Sequence, residues 1–275
     1  MNTTHTMRLR AAAAALAATV AAAGLIACGD SGESTASASS TTESATSTTT
    51  STASSTELPQ GSEPVDLDPD EFTIDIDNPY FPMAPGNTWT YRETDTQGTE
   101  EKVVVVVTDR TKMIANGVEA RVVRDTVTEN GEPVEVTDDW YAQDSVGNIW
   151  YLGEKTAEYE NGKVSSTAGS FEAGVDGAQA GIAIPANPEP GMSYRQEYLK
   201  GEAEDEGAVI TVGEEQVEVP FGYFNEDVLM TRDLVPTEPK VQELKFYAPG
   251  VGPLLSVHTD GAGGRGELVD FTAGR

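Results

Sequence analysis

The sequence predicts an all-β fold, an antiparallel meander of two related units, and three observations support it. First, the turn pairs Asn116-Gly117, Asn130-Gly131, Gly147-Asn148 and Asn161-Gly162 recur 14 to 17 residues apart. Asn-Gly supplies the positive φ angles that two-residue hairpins need, and this spacing suits an antiparallel meander with fairly long strands. Second, no segment sustains a helical period. Third, the chain repeats itself. Pro85-Gly86-Asn87-Thr88-Trp89 returns as Pro190-Gly191-Met192-Ser193-Tyr194, 105 residues on. Val103 to Val107 matches Ala208-Val209-Ile210-Thr211-Val212, Arg124-Asp125 matches Arg232-Asp233, and Trp140-Tyr141-Ala142 matches Phe246-Tyr247-Ala248, at offsets of 105, 108 and 106. Four anchors in one order imply two units of five or six strands, about 78–170 and 186–272, arranged as a sandwich or a curved half-barrel.

The chain order begins with a signal peptide at 1–27. Arg8 and Arg10 form its basic n-region, and 11–27 is an apolar run that is short for a spanning helix. An uncleaved anchor helix is the alternative. The run ends in Leu25-Ile26-Ala27-Cys28, which resembles the lipobox of bacterial lipoproteins. That resemblance implies cleavage between Ala27 and Cys28, a diacylglyceryl group on the Cys28 sulfur, and acylation of the new amino group. The partner so implied is a lipid bilayer, with the protein on the extracytoplasmic side of the cell membrane. Cys28 is the one cysteine of the chain, so disulfides and thiolate metal sites are excluded.

A tether follows. Of residues 31–56, 19 of 26 are Ser or Thr without apolar periodicity, which reads as a flexible linker over 28–63. Gly29-Asp30-Ser31-Gly32 matches a trypsin-like nucleophile motif by chance, because the upstream His5 falls in the signal peptide. The body then occupies 64–275. The signal peptide holds two of the 17 basic residues and none of the 46 acidic ones, which leaves 15 against 46 in the remainder. Such a body repels nucleic acid and anionic headgroups.

Within the body, Asn78-Pro79-Tyr80-Phe81-Pro82-Met83-Ala84-Pro85-Gly86 is a rigid aromatic lead-in to a strand over 88–96. The five-valine run 103–107 suggests a strand covered on both faces. The body resembles a group of secreted bacterial proteins of unknown function, on Asn78, Tyr80, Phe81, Pro82, Pro85, Gly86, Trp89, Tyr91 and the later Trp140-Tyr141-Ala142. This resemblance supports the domain boundary and implies no activity.

Catalytic and cofactor motifs are scarce. His258 is the one histidine after the signal peptide and lacks the partners of a zinc site. Gly261-Ala262-Gly263-Gly264-Arg265-Gly266 fits a dinucleotide motif but leads into a strand, so no helix N-terminus awaits a phosphate. No cofactor is expected. Asp138, Asp139 and Asp144, and Glu202, Glu204, Asp205 and Glu206, are oxygen-rich but lack EF-hand spacing, so they read as solvated turns. Trp89, Trp140, Tyr141 and Trp150 fall in predicted strands and are core residues by default. If the sheet curves round a cavity, they line a ligand. The leading expectation is a non-catalytic lipoprotein whose β body binds a protein or envelope component. The alternatives are a carrier of a lipid or other apolar ligand, and a secreted hydrolase using paired carboxylates.

Overall fold

The computed structural model describes residues 57–236, 239–259 and 264–274. Ala27, Cys28 and most of the tether lie outside the described residues, as does the Gly-rich stretch 260–263. The strands of the first part of the chain are β1 (Phe72–Thr73), β2 (Thr88–Thr94), β3 (Glu100–Met113), β4 (Glu119–Glu129), β5 (Glu132–Asp144), β6 (Ile149–Glu160), β7 (Lys163–Ser166), β8 (Phe171–Glu172) and β9 (Gln179–Ile184). Those of the second part are β10 (Ser193–Leu199), β11 (Ala203–Val212), β12 (Val217–Val219), β13 (Gly222–Phe224), β14 (Leu229–Leu234), β15 (Gln242–Ala248), β16 (Gly252–His258) and β17 (Arg265–Thr272). No α-helix occurs among the described residues.

Twelve antiparallel strands close into a barrel. In ring order they are β2, β3, β4, β5, β6 and β9, then β10, β11, β14, β15, β16 and β17, which returns to β2. The sheet is therefore curved rather than a sandwich, and it goes past a half-barrel to closure. Each repeat supplies six strands. Both units enter through the same turn: Gly86 donates to the Val107 carbonyl at 2.8 Å, and Gly191 donates to the Val209 carbonyl at 2.9 Å. Val107 thus corresponds to Val209, an offset of 102 where the sequence match suggested 105, because the β10–β11 hairpin is the shorter. Asn130-Gly131 and Asn161-Gly162 adopt positive φ at both residues, as a type I′ turn requires.

Alternation along each strand sorts side chains into the lumen or onto the outer wall. Val103, Val105 and Val107 point inward and are fully buried, while Val104 and Val106 are half-buried on the outside. The valine run is therefore covered completely on one face only. One end of the barrel is plugged by the aromatic lead-in. The Phe81 ring meets Trp89 edge-on at 5.5 Å and Tyr141 at 6.0 Å. The lead-in is pinned across three separate loops: Asn78 Nδ2 donates to the Gly147 and Pro185 carbonyls, and Gly250 donates to the Pro79 carbonyl.

The two repeats meet at unequal seams. β17 and β2 pair over seven residues, whereas β9 and β10 pair only at Glu197–Ala180 and Tyr198–Gln179. Arg195 reinforces this short seam. Its guanidinium is buried and donates to the Ala180 carbonyl on β9 and to the Gly61 and Glu63 carbonyls of the incoming chain. The Arg195 amide donates to the Pro59 carbonyl at 2.7 Å. Residues 58–63, which composition assigned to the linker, therefore lie against the barrel wall as a strap. Burial lowers the Arg195 pKa to about 10, still far above neutrality, so the charge is retained and carbonyl dipoles solvate it.

Arg195→Ala should lower stability by about 3 kcal/mol, the scale of losing several hydrogen bonds to a buried charge. It should also expose residues 58–63 to limited proteolysis. An unchanged melting temperature and cleavage pattern would show that the seam does not depend on this side chain.

Candidate functional site

Two features of the barrel have chemistry to offer: a carboxyl-rich layer in the lumen and a cleft on the outer wall. The lumen is layered. Towards the plugged end it is filled by Trp89, Tyr91, Tyr141, Tyr194 and Leu254, all essentially inaccessible. Towards the hairpin end, strand after strand contributes a buried acid: Glu93 on β2, Asp125 on β4, Asp139 on β5, Glu154 on β6 and Glu197 on β10. Asp205 on β11 and Asp233 on β14 continue the ring. Lys245 on β15 answers the last of these, with Nζ 2.6 Å from Asp233 and 3.2 Å from Glu243. Burial works to lower its pKa, but attraction by Asp233 and Glu243 outweighs it and holds Lys245 protonated.

The remaining acids form no ion pair among the described residues, although Lys245 attracts Glu197 and Asp205, and they respond by holding protons. Asp139 and Glu154 are cross-strand partners that share the Tyr151 hydroxyl, at 2.9 Å and 2.7 Å. A phenol has one proton to give, so one of the two carboxyls must itself be protonated and donate to the phenol oxygen. Burial, the largest cause, raises both; Asp139 is raised further by Glu154, while hydrogen bonds from Tyr151 and Thr156 restrain Glu154 at about 7. Thr156 donates to Glu154 at 2.9 Å and meets the Thr137 hydroxyl at 2.9 Å, which completes a buried chain. Glu197 and Asp205 are a second cross-strand pair, each raised well above the usual carboxylate range by burial first and by neighbouring carboxylates second. Glu93 and Asp125 are raised by burial in the same way.

The cleft lies on the outer wall of β4, β5 and β6, beneath a strap formed by residues 170–178. Gly153 makes this possible. At φ 128° it has no side chain, and a Cβ there would collide with the Phe171 carbonyl, so only glycine lets β8 lie directly against β6. The strap is fastened by Glu172, which accepts from the Ala115 amide at 2.9 Å and pairs with Lys112 at 2.9 Å. The cleft is open to solvent and has a volume of about 540 Å3. Val122, Trp140, Phe171, Ala178 and Leu199 contribute apolar wall, with Lys155, Asp138 and Asp176 among the polar groups. Lys112 Nζ sits 4.5 Å from the centre of the Trp140 ring, a cation–π contact. Asp138 is held below the usual carboxylate range: burial opposes this, but Arg110 and Arg124 each grip it with two hydrogen bonds.

The aromatic residues singled out by sequence are thus dispersed. Trp89 is fully buried and donates to the Val251 carbonyl, and Tyr141 packs on Tyr151 with centroids 5.0 Å apart. Trp150 donates to Asp144 at 2.8 Å and meets Phe72 edge-on. Trp140 alone of the four borders the cleft, on the outer face rather than in the lumen. The acidic clusters are also split: Asp138 faces the arginines outside, Asp139 faces the lumen, and Asp144 caps the turn at 146–148. Asp205 turns inward, and Glu204 caps the Gly201 amide. Reading these clusters as solvated turns therefore fails for Asp139 and Asp205, which their strand parity buries. His258 Nε2 stands 3.8 Å from Glu243. No group of three potential metal ligands converges among the described residues. The acids of the lumen and the strap residues were missed as sites; a strict two-residue alternation of Glu and Asp with apolar residues was the available signal.

No family model matches the chain, and no curated protein matches it. Among solved structures it is similar to a candidate lipoprotein from Parabacteroides distasonis (14% identity, TM-score 0.39) and a candidate exported protein with a YmcC-like fold from Bacteroides fragilis (16%, 0.41). It is also similar to a β-barrel-like protein of a domain of unknown function from Brucella abortus (11%, 0.38). Each similarity covers 70% of this chain and 98%, 99% and 100% of the respective partner.

The lumen predicts a pH dependence. Carboxyls whose folded pKa is raised bind more protons in the folded than in the unfolded chain, so their stabilisation is complete below their unfolded pKa and is lost as pH rises through the folded one. With Glu154 raised from 4.5 to about 7, the melting temperature should fall between about pH 5 and about pH 8. Glu154→Gln, an isostere of the protonated acid, should flatten that slope. A melting temperature that rises across the window would contradict the protonated layer.

Proposed function

We propose that this protein is a non-catalytic, extracytoplasmic lipoprotein that binds a ligand on its barrel and is held at the membrane through acylated Cys28. The cleft beneath the 170–178 strap is the observation that carries the binding half of this reading. Its volume of about 540 Å3 and largely apolar wall have the size and character of a small-molecule site. The anchoring half rests on Leu25-Ile26-Ala27-Cys28 and on the Ser/Thr-rich run behind it.

A carrier with its cargo in the lumen is disfavoured, because Trp89, Tyr141, Tyr194 and the buried acids already fill that space. The carrier reading therefore moves to the outer cleft. The hydrolase reading gains carboxyls of raised pKa but loses their geometry. A glycosidase holds its substrate, and an inverting one also a water, between the two acids; here the Tyr151 hydroxyl occupies the space between Asp139 and Glu154. That arrangement favours a structural role for the pair. Nucleic acid is an unsuitable partner for a chain of net charge −29.

In the full chain expressed in a bacterial host, Cys28→Ser should move the protein out of the membrane fraction or leave the precursor uncleaved. The wild type should carry the mass of a diacylglyceryl group. Identical fractionation and mass for both would remove the anchor from this reading.

A further inference from the structure

We propose that the outer-wall cleft takes a small monoanionic amphiphile, a medium-chain carboxylate, with its chain on the apolar wall and its head at Lys155. This rests on the binding reading above and adds the ligand class. The argument is one of charge accounting inside the cleft, which Glu154 also lines while its carboxyl is taken up by Tyr151 and Thr156. Asp138 is neutralised twice over, since Arg110 and Arg124 each hold it by a bidentate fork. Glu172 is neutralised by Lys112, which also covers the Trp140 ring. Lys155 lies beside Asp138 in the ladder, yet Asp138 is committed to the arginines, so the Lys155 ammonium has no ion pair among the described residues. It is exposed and borders the cleft. Arg110, Lys112, Arg124 and Lys155 thus gather on one face of a strongly acidic protein, three of them already paired and one free for a ligand anion.

The apolar wall decides what the anion is attached to. Val122 and Trp140 on the barrel wall and Phe171 and Ala178 on the strap line the cleft and are each less than a tenth exposed, while Leu199 is half-buried at its border. A wholly polar anion would leave that surface wet; a neutral alkane would leave Lys155 unused. An alkyl carboxylate satisfies both. Asp176, exposed on the strap, opposes the anion and sets a limit on affinity. The acidic surface of the remaining protein opposes the approach of any anion, so added salt should speed association instead of slowing it.

The test is calorimetric titration of the full chain carrying Cys28→Ser, which removes the protein's own acyl chains, with decanoate, decanol and decyltrimethylammonium as probes. Decanoate should bind at least tenfold more tightly than decanol, and the cation should bind weakest. Lys155→Gln should bring decanoate down to the level of decanol, Lys155→Arg should retain most of the difference, and Asp176→Asn should tighten decanoate. Both lysine variants change an exposed side chain and should fold normally, which their melting temperatures will verify. Equal binding of decanoate and decanol, or a Lys155→Gln variant that still distinguishes them, would overturn the assignment of the head to Lys155. Failure of all three probes to bind would overturn the ligand class, while the membrane fractionation of Cys28→Ser would still report separately on the anchored-lipoprotein reading.

Discussion

Closure of the twelve-strand ring is the constraint on which the rest of the molecule depends. A closed barrel has no unpaired edge, so each long strand must present one parity to the lumen and the other to the outer wall. That rule places Trp89 and Tyr91 inside together with Glu93, because they sit two apart on one strand. It likewise carries Asp125 inside behind Val123, and Asp233 inside behind Thr231. The acids of the lumen are the far ends of strands whose near ends build an aromatic core.

Closure then determines the electrostatics. Acids converging on one layer with Lys245 as their cation cannot all ionise, and the Tyr151 contacts to Asp139 and Glu154 show how the layer adjusts: a carboxyl keeps its proton and becomes a donor. The lumen thereby carries its acids towards one end and the Phe81 lead-in at the other. With the lumen filled, binding chemistry is displaced to the outer wall. There the Gly153 backbone admits β8, and the strap roofs a surface that would otherwise be bare sheet.

The seam between β9 and β10 links the barrel to the incoming chain at 58–63. Its ladder is short, and Arg195 draws the strap at 58–63 across it with hydrogen bonds to the carbonyls of Ala180, Gly61 and Glu63. The point where the chain enters the body is therefore part of the barrel wall.

Much of the fold was legible because it depends on local chemistry. Asn130-Gly131 and Asn161-Gly162 dictate tight hairpins through their positive φ angles, and the Pro-Gly turns before Trp89 and Tyr194 disclosed the duplication. Composition assigned 58–63 to a linker, since Leu58 and Pro59 carry no sign that Arg195 awaits them. The site was far less legible. Periodicity says that Asp138 and Asp139 face opposite ways but not which one faces the lumen, and the extra residue that β6 carries between Tyr151 and Glu154 resets the parity of that strand, so that both face the lumen three residues apart. Trp140 was grouped correctly with Val134 and Val136, yet that face is the outer one. The sequence by itself determined strands, turns and repeat, because each is written in neighbouring residues. Only the tertiary structure decided which acids share a proton and that Val122, Trp140, Phe171 and Leu199 share a wall, because those contacts join residues far apart in the chain through a register set by closure.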